Sequence, residues 1–514
     1  MFSAIREGRS WGSHESCRRP EWRRRRVGAL SGAAGLVAVV GLALPSGALA
    51  QTNFSEATNL ALGNANAASD KTVAVGDFNG DKDPDLAVTN PQTSSVQVLL
   101  GRPGGAGFTQ APNNRLANGP LAVAVGQLNI ATDTKLDLVV AMGGSGGPGD
   151  KLAVLLGKGD GTFGAPSYVS AGSGSGPASV AVGRIDRDQY PDLAVANNLA
   201  ETVGVLHGNG DGTFGAPASY AAGHWPIAVA LGNFDADSFD GGHLDLAVAN
   251  AGSSDISVRY GNSTGDPPFG SATSWGIGNA PIAMAMGDFD ANQHPDLALA
   301  NTGNNTVSVL AAGNGMYPRG SYAVGEAPTS VAVGNFNHDA DPDLAVTYQR
   351  GAVSDGLNGG VSVLLGETGT SFRRMQTDYA AGDRPNSVAT GDFDGDSDSD
   401  LAVANRYDDN ISVLLANNAP TANADAYNTD VNSPLSVTGV GMLTNDRDPD
   451  GDQMTAVLAS GPAHGTVTID SDGSFRYTPT AGFTGSDSFS YTVSDGHGGW
   501  NVGTVAITIF APGA

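Results

Sequence analysis

The stretch VAVGDFNGDKDPDLAVTN, Val73 to Asn90, decides the fold, because it joins two short apolar runs through a loop whose alternate side chains carry oxygen. The apolar runs read as strands and the Gly- and Asp-bearing segment between them as a turn. In the second run, the large Leu86 and Val88 fall on one strand face and the small Ala87 on the other. Neither face is polar, so both need cover.

The pattern returns from Val123, Val180, Val229, Met284, Val331 and Val388. The last Asp of the seven units stands at Asp85, Asp137, Asp192, Asp245, Asp296, Asp343 and Asp400, in steps of 52, 55, 53, 51, 47 and 57 residues. Each step holds four strand-like runs and no helical one. Period, strand count and two-sided apolarity favour an all-β, seven-bladed β-propeller over a solenoid. The seventh unit lacks a fourth strand after ISVLLANN (Ile411 to Asn418), while FSEATNLALG (Phe54 to Gly63) precedes the first unit without a blade of its own. The N-terminal segment is therefore predicted to supply that strand and close the ring.

The opening hydrophobic-Gly-Asp-Phe-Asp/Asn, the acidic loop, and the GDGTFGAP turns at Gly159 and Gly210 resemble FG-GAP repeats, also called VCBS or integrin-α-like repeats, over residues 54–418. The resemblance implies ions on one face of the disc serving structure, with ligand-binding loops on the opposite face.

Within the first loop Asp77, Asn79, Asp81 and Asp85 stand at positions 1, 3, 5 and 9. Hard oxygen donors around a Gly-bearing turn suit calcium, whereas zinc would want His or Cys. A merely solvated acidic turn would leave the recurrence of the spacing unexplained. The other loops form a graded series. Asp392, Asp394, Asp396 and Asp400 make a four-carboxylate set predicted to bind most tightly. Asp288, Asp290, Asn292 and Asp296 keep three carboxylates, and Asn335, Asn337, Asp339 and Asp343 keep two. In the third unit Arg184 replaces the first ligand, leaving Asp186, Asp188 and Asp192, and its charge is a candidate substitute for the ion. The fourth unit carries an insertion between Asp237 and Asp245, and the second, with Gln127 and Asn129, is predicted to be empty.

From Ala419 the period stops. LTNDRDPDGD (Leu443 to Asp452), HGTVTID, GSFRYTP and FTGSDSFSYTVSDGHGG follow, with alternation that indicates a β-sandwich over residues 419–514. Their order resembles bacterial cadherin-like, Ig-like tandem domains, a resemblance that implies calcium near Asp446, Asp448, Asp450 and Asp452, with Asp425, Asp487 and Asp495 as further candidates.

Residues 1–50 read as a secretory signal peptide: Arg18, Arg19 and Arg23 to Arg26 precede an apolar run from Val27 to Leu44, closed by Ala48-Leu49-Ala50. No full twin-arginine motif is present, so the export route stays open. Removing eight arginines and three glutamates with this segment takes the net charge from −26 to −31, which argues against nucleic acid as a partner. The one cysteine, Cys17, leaves too, so bound cations are the expected brace for the loops of the exported chain. Residues 51–418 are then the propeller, and no membrane span remains in the mature chain, which is expected to be a monomer, secreted or associated with the cell surface.

Catalytic signatures are weak. GGSGG (Gly143 to Gly147) fits a nucleophile elbow formally, but no helix follows Ser145. GKGDGTFG lacks the Lys-Ser/Thr of a phosphate loop. Tyr220, Trp275, Tyr322 and Tyr379 recur ahead of successive blades and read as packing rather than sugar platforms, whereas Trp225 beside His224 is the better candidate for a ligand contact. The sequence thus points to a calcium-binding, non-catalytic adhesion or recognition protein for an extracellular glycan or surface protein. A carbohydrate-binding lectin and an extracellular hydrolase or lyase on the same scaffold are the alternatives.

Overall fold

In the computed structural model, residues 52–511 are described except for 56, 63–68, 104–106, 144–148, 187, 236–243, 262–268, 314, 338, 353–357, 368 and 497–498. The signal-peptide reading and Ser145 lie outside the described residues. Among the described residues seven antiparallel sheets follow one another along the chain, six of four strands and the first with a short fifth, for example Pro177–Gly183, Asp192–Asn197, Thr202–Leu206 and Ala218–Ala221 in the third blade. The second strand of that blade is buried at every residue, and so are Asp85–Asn90 and Asp400–Asn405, as the two-sided apolarity of LAVAN demands.

The cores show the ring. Seven buried clusters each lie between two successive sheets, including one between the seventh and the first that joins Ala402, Ala404 and Ile411 to Leu86, Val88 and Leu99. Seven interfaces for seven sheets close a propeller. The chain end completes the seventh sheet as predicted: Thr58–Ala61 pairs antiparallel with Asn410–Leu414, which in turn pairs with Asp400–Asn405. A further strand, Thr52–Phe54, pairs with Ala416–Asn418. Phe54 packs edge-on against Phe336 and Tyr379 at 5.5 and 5.0 Å, contacts worth about 0.5–1.5 kcal/mol each beyond their burial.

Neighbouring blades are held close by the glycine that ends each first strand. At Gly126 an added Cβ would lie 2.8 Å from the Val182 side chain of the next blade, so a larger residue there would force the two blades to shift. The GDGTF turns hook onto the blade before: Gly161 N–H donates to Phe78 O at 3.0 Å, and Gly212 N–H to Leu128 O at 3.1 Å.

After Asn418 two further sheets face each other across a core of Phe475, Tyr477, Phe489, Tyr491, Val505 and Ile507. Burial alternates residue by residue along Phe475–Pro479, the period of a strand with one wet face. Asp425–Asp430 joins this β-sandwich in parallel with Trp500–Phe510.

Candidate metal loops and the opposite rim

The last Asp of every unit is fully buried, and each carboxylate accepts from at least two main-chain N–H groups. In the first blade Asp85 accepts from Phe78 N at 2.7 Å and Gly101 N at 2.8 Å. In the last, Asp400 accepts from Phe393 N at 2.6 Å and Ala416 N at 2.7 Å. The same clamp stands in the second unit, where Asp137 takes Leu128 N and Gly157 N, and in the fourth, where Asp245 takes Phe234 N and Gly261 N. It ties the acidic loop to the third strand whatever the rest of the loop has become. This role, which the spacing did not disclose, explains why the residue recurs even in degenerate units.

Alternation in the loop also has a backbone cause. Asn79 Oδ1 accepts from Asp81 N at 2.9 Å, and Asp81 Oδ1 from Asp83 N at 3.0 Å. Asp186 and Asp188 do the same in the third unit, and Asn337 and Asp339 in the sixth. These are successive Asx turns. Each engages one side-chain oxygen in folding the loop and leaves lone pairs for a cation.

The loops differ in how far their acids converge. Carboxylate oxygens of Asp288, Asp290 and Asp296 lie within 4.8 Å of one another, as do those of Asp392, Asp394 and Asp400. In the fifth blade Asp288 is pinned by Asn292 N and Gln293 N, Asn292 accepts from His294 N, and the buried Asp290 Oδ1 has no hydrogen-bond partner. An orphaned carboxylate oxygen among other carboxylates, with oxygen donors throughout, fits a hard cation such as calcium. Asp77, Asp81 and Asp85 are not brought into such a set, nor are Asp339 and Asp343.

Several placements correct the sequence reading. Asp396 does not complete the four-carboxylate set of the seventh blade but lies with Asp398 and with Asp450 of the sandwich. In the third unit Arg184 is exposed, and the base that reaches the acids is His207, whose Nδ1 lies 3.1 Å from Asp186 and 3.6 Å from Asp192. Asp192 beside the ring raises the His207 pKa, so the imidazolium is favoured where the other loops offer only oxygens. In the second unit the Asn129 amide, turned with its nitrogen toward the acids, donates to Asp133 and Asp137 at 3.1 Å each. In the sandwich Asp448, Asp450 and Asp452 converge, but Asp446 turns away to accept from Tyr491 Oη at 2.8 Å and Asn423 N at 2.7 Å. Asp487 likewise serves Tyr477 Oη at 2.8 Å, and Asp425 lies beside Tyr491.

Burial sets the electrostatics. Desolvation pushes Asp85 and Asp296 up to about 6, Asp343 to about 7 and Asp400 to about 8, against the pull of their two amide donors. Nearby loop acids add to the rise. At neutral pH these loops gather like charge that a bound cation would neutralise.

The opposite end of each sheet carries the loops that lead into the first strand. Trp225 directly precedes Pro226–Gly232, whose far end, Gly232, is paired with the clamp Asp245. The indole is exposed, and its backbone is left-handed at φ 53°. Ala280, Ala327 and Arg384, each also before a proline, share this conformation at 52°, 57° and 55°. It is doubly disfavoured for a side-chain-bearing residue ahead of proline. Tertiary hydrogen bonds hold it: Ala251 N donates to Trp225 O at 2.9 Å, and Arg406 N to Arg384 O at 3.0 Å. The X-Pro pairs were visible in the sequence, but their handedness was not. Beside Trp225, His224 Nδ1 and Glu201 Oε1 are 2.7 Å apart, and Leu199 and Tyr407 are exposed in turns at the same ends of their sheets. Tyr220, Tyr322 and Tyr379 instead face inward against Phe269, Phe372 and Phe54, and Trp275 packs on a buried cluster.

Comparison with known proteins bears on this arrangement. The FG-GAP repeat model matches residues 71–108 and 384–422, and the FG-GAP-like repeat model matches residues 130–195. The bacterial cadherin-like domain model matches residues 417–511. Among curated proteins none matches the chain. Similar solved structures include a functionally unknown protein from Desulfotomaculum acetoxidans DSM 771, 11% identical, covering 66% of this chain and 89% of that one at a TM-score of 0.40. A protein from Lactobacillus plantarum is 15% identical, covering 67% of this chain and 91% of that one at a TM-score of 0.44. The chain thus carries segments that match FG-GAP and FG-GAP-like repeats within the propeller sheets, followed by a segment that matches a bacterial cadherin-like domain.

Proposed function

We propose that the protein is an exported, calcium-binding adhesion or recognition protein without catalytic activity, whose ligand docks at the rim opposite the acidic loops. FG-GAP and cadherin-like domains suggest an extracellular recognition or adhesion-type protein, and among the described residues no helix is long and apolar enough to cross a membrane. The observation that carries the reading is the division of labour along the strands. Acid sets with an orphaned carboxylate oxygen stand at one end, and an exposed indole on a left-handed, hydrogen-bonded backbone stands at the other. Backbone strain of this kind persists only where the surroundings over-determine it, and it fixes the direction of the ring.

The partner is an extracellular glycan or a surface protein. The glycan, and thus a lectin, is favoured by the indole lying beside the His224–Glu201 pair, an apolar platform next to polar groups. Trp225→Gly removes the ring and relieves the strained φ, so the fold should be retained or slightly stabilised while binding to a glycan array or to envelope surface proteins falls at least tenfold. Undiminished binding by Trp225→Gly would remove the docking assignment, and turnover of a bound glycan by purified protein would contradict the non-catalytic reading.

A further inference from the structure

The third blade departs from the other six at two positions that are apart in the chain and together in the fold. Its loop opens on Arg184, where the other units open on Asp, Asn or Gln and so offer an oxygen. The second position directly precedes the residue whose N–H holds one oxygen of the buried last Asp. It is Leu100, Leu156, Leu365 or Leu415 in four of the other blades, Tyr260 in the fourth and Ala311 in the fifth. In the third blade it is His207. An oxygen donor has been lost at one position and a nitrogen donor gained at the other.

The fold fixes that nitrogen among the acids. His207 O accepts from Gly215 N at 2.8 Å, and the next N–H, of Gly208, donates to Asp192 Oδ1 at 2.9 Å, so the main chain that carries the ring is tied down. Oxygens of Asp186 and Asp192 and a ring nitrogen of His207 lie within 4.8 Å of one another. Nδ1 is buried and has no hydrogen-bond partner: Asp186 Oδ2, at 3.1 Å, is close without hydrogen-bond alignment, and Asp192 Oδ1 stands at 3.6 Å. A ring nitrogen placed only to pair with a carboxylate would point its N–H at it. Donors that crowd together without bonding to each other are instead what surrounds a metal. Two ligands about 2.0–2.1 Å from a tetrahedral zinc stand about 3.3 Å apart, which falls between the two separations here. The side chains of Asp186 and His207 are 32% and 37% exposed, so a fourth coordination position opens to solvent.

We propose that the third blade binds a divalent transition metal of the zinc type through His207 Nδ1, Asp186 Oδ2 and Asp192 Oδ1, in place of the calcium that suits the all-oxygen loops. Imidazole is a ligand for zinc and not for calcium, so Arg184 and His207 together change which metal the loop takes and not merely how tightly. Asp192 Oδ1 has a second lone pair to give beside the one that Gly208 N occupies. On binding, the ion displaces the proton that Asp192 favours on the ring. Calcium in the other loops is untouched, because this site rests on a histidine that none of them has at that position.

The test strips the purified protein of metal, saturates it with calcium, titrates in zinc and counts both metals per chain after dialysis. His207→Leu installs the residue that four other blades carry, so the fold should hold, as circular dichroism and melting in calcium would show. It should bind one zinc fewer than wild type, with the affinity of that site down at least a hundredfold and the calcium count unchanged. Asp186→Asn, in the exposed part of the loop, should weaken the same zinc at least tenfold and carries the test if His207→Leu misfolds. The proposal is overturned if neither variant changes zinc binding, or if Asp186→Asn loses a calcium in place of a zinc. A wild-type chain that binds zinc through His207 and no calcium anywhere keeps this site and removes the calcium reading of the other loops.

Discussion

Asp137→Ala is expected to destabilise the propeller by about 2–4 kcal/mol, although its loop is the one predicted to hold no ion. The side chain is fully buried and is the acceptor for Leu128 N at 2.7 Å and Gly157 N at 2.8 Å. Truncation leaves both donors without that partner, and each unmet buried donor costs about 1–3 kcal/mol. Burial raises the pKa of Asp137, so removing the carboxylate also removes a desolvation penalty, which holds the net loss to the lower part of the summed range. Asp137→Asn keeps one acceptor oxygen and should lose about half as much. Chemical denaturation of the two variants checks this, and a midpoint for Asp137→Ala equal to that of wild type would show that the clamp contributes nothing. Because the second unit is the ion-poor one, the effect should persist in EGTA.

Lys71→Ala should cost more, about 3–5 kcal/mol, the usual loss when one partner of a buried ion pair is removed. Lys71 has no exposed side-chain surface. Its Nζ lies 3.4 Å from Asp409, itself 4% exposed, and donates to Asn405 O at 3.2 Å. The lysine leads into the first blade and both partners belong to the seventh, so the pair lies on the seam where the ring closes. Asn386 Nδ2, donating to Lys71 O at 3.0 Å, reinforces the same seam. Burial lowers the Lys71 pKa, and Asp409 works against that, so the charge depends on its partner. The double change Lys71→Met with Asp409→Leu removes both charges and should recover most of the stability lost in Lys71→Met alone. Thermal unfolding of the two variants measures this; equal losses would mean that the seam is held by something other than the pair.

The ring itself was legible in the sequence. LAVAN announces two covered faces, and the missing fourth strand after Asn418 announces that the N-terminal segment must close the last blade. These features follow from local alternation and from counting. What escaped the sequence depends on residues that meet only in three dimensions. Nothing in the spacing of Asp392, Asp394, Asp396 and Asp400 says that Asp396 faces a loop of another module, and nothing near Arg184 announces that His207, just past the third strand, reaches its acids. Asp446 belongs to a run of alternating acids, yet Tyr491, whose hydroxyl needs an acceptor in the core, claims it. Lys71 reads as an ordinary polar residue ahead of a strand until ring closure buries it.

The central claim is that the acidic loops fold around bound calcium, and the most direct test is the melting temperature between pH 4 and pH 8 in calcium and in EGTA. The folded-state pKa values of Asp85, Asp296, Asp343 and Asp400, at about 6, 6, 7 and 8, lie above those of the same groups in the unfolded chain. Without calcium the folded state therefore holds more protons than the unfolded one over this range, and stability falls as pH rises through it. Calcium favours the ionised carboxylates and stabilises the state that binds it, which removes the share of the fall that comes from Asp296 and Asp400, whose loops gather the acid sets. The account predicts curves that coincide near pH 4 and separate progressively toward pH 8, with the calcium-loaded protein the more stable. Curves that superimpose across the whole range would contradict it.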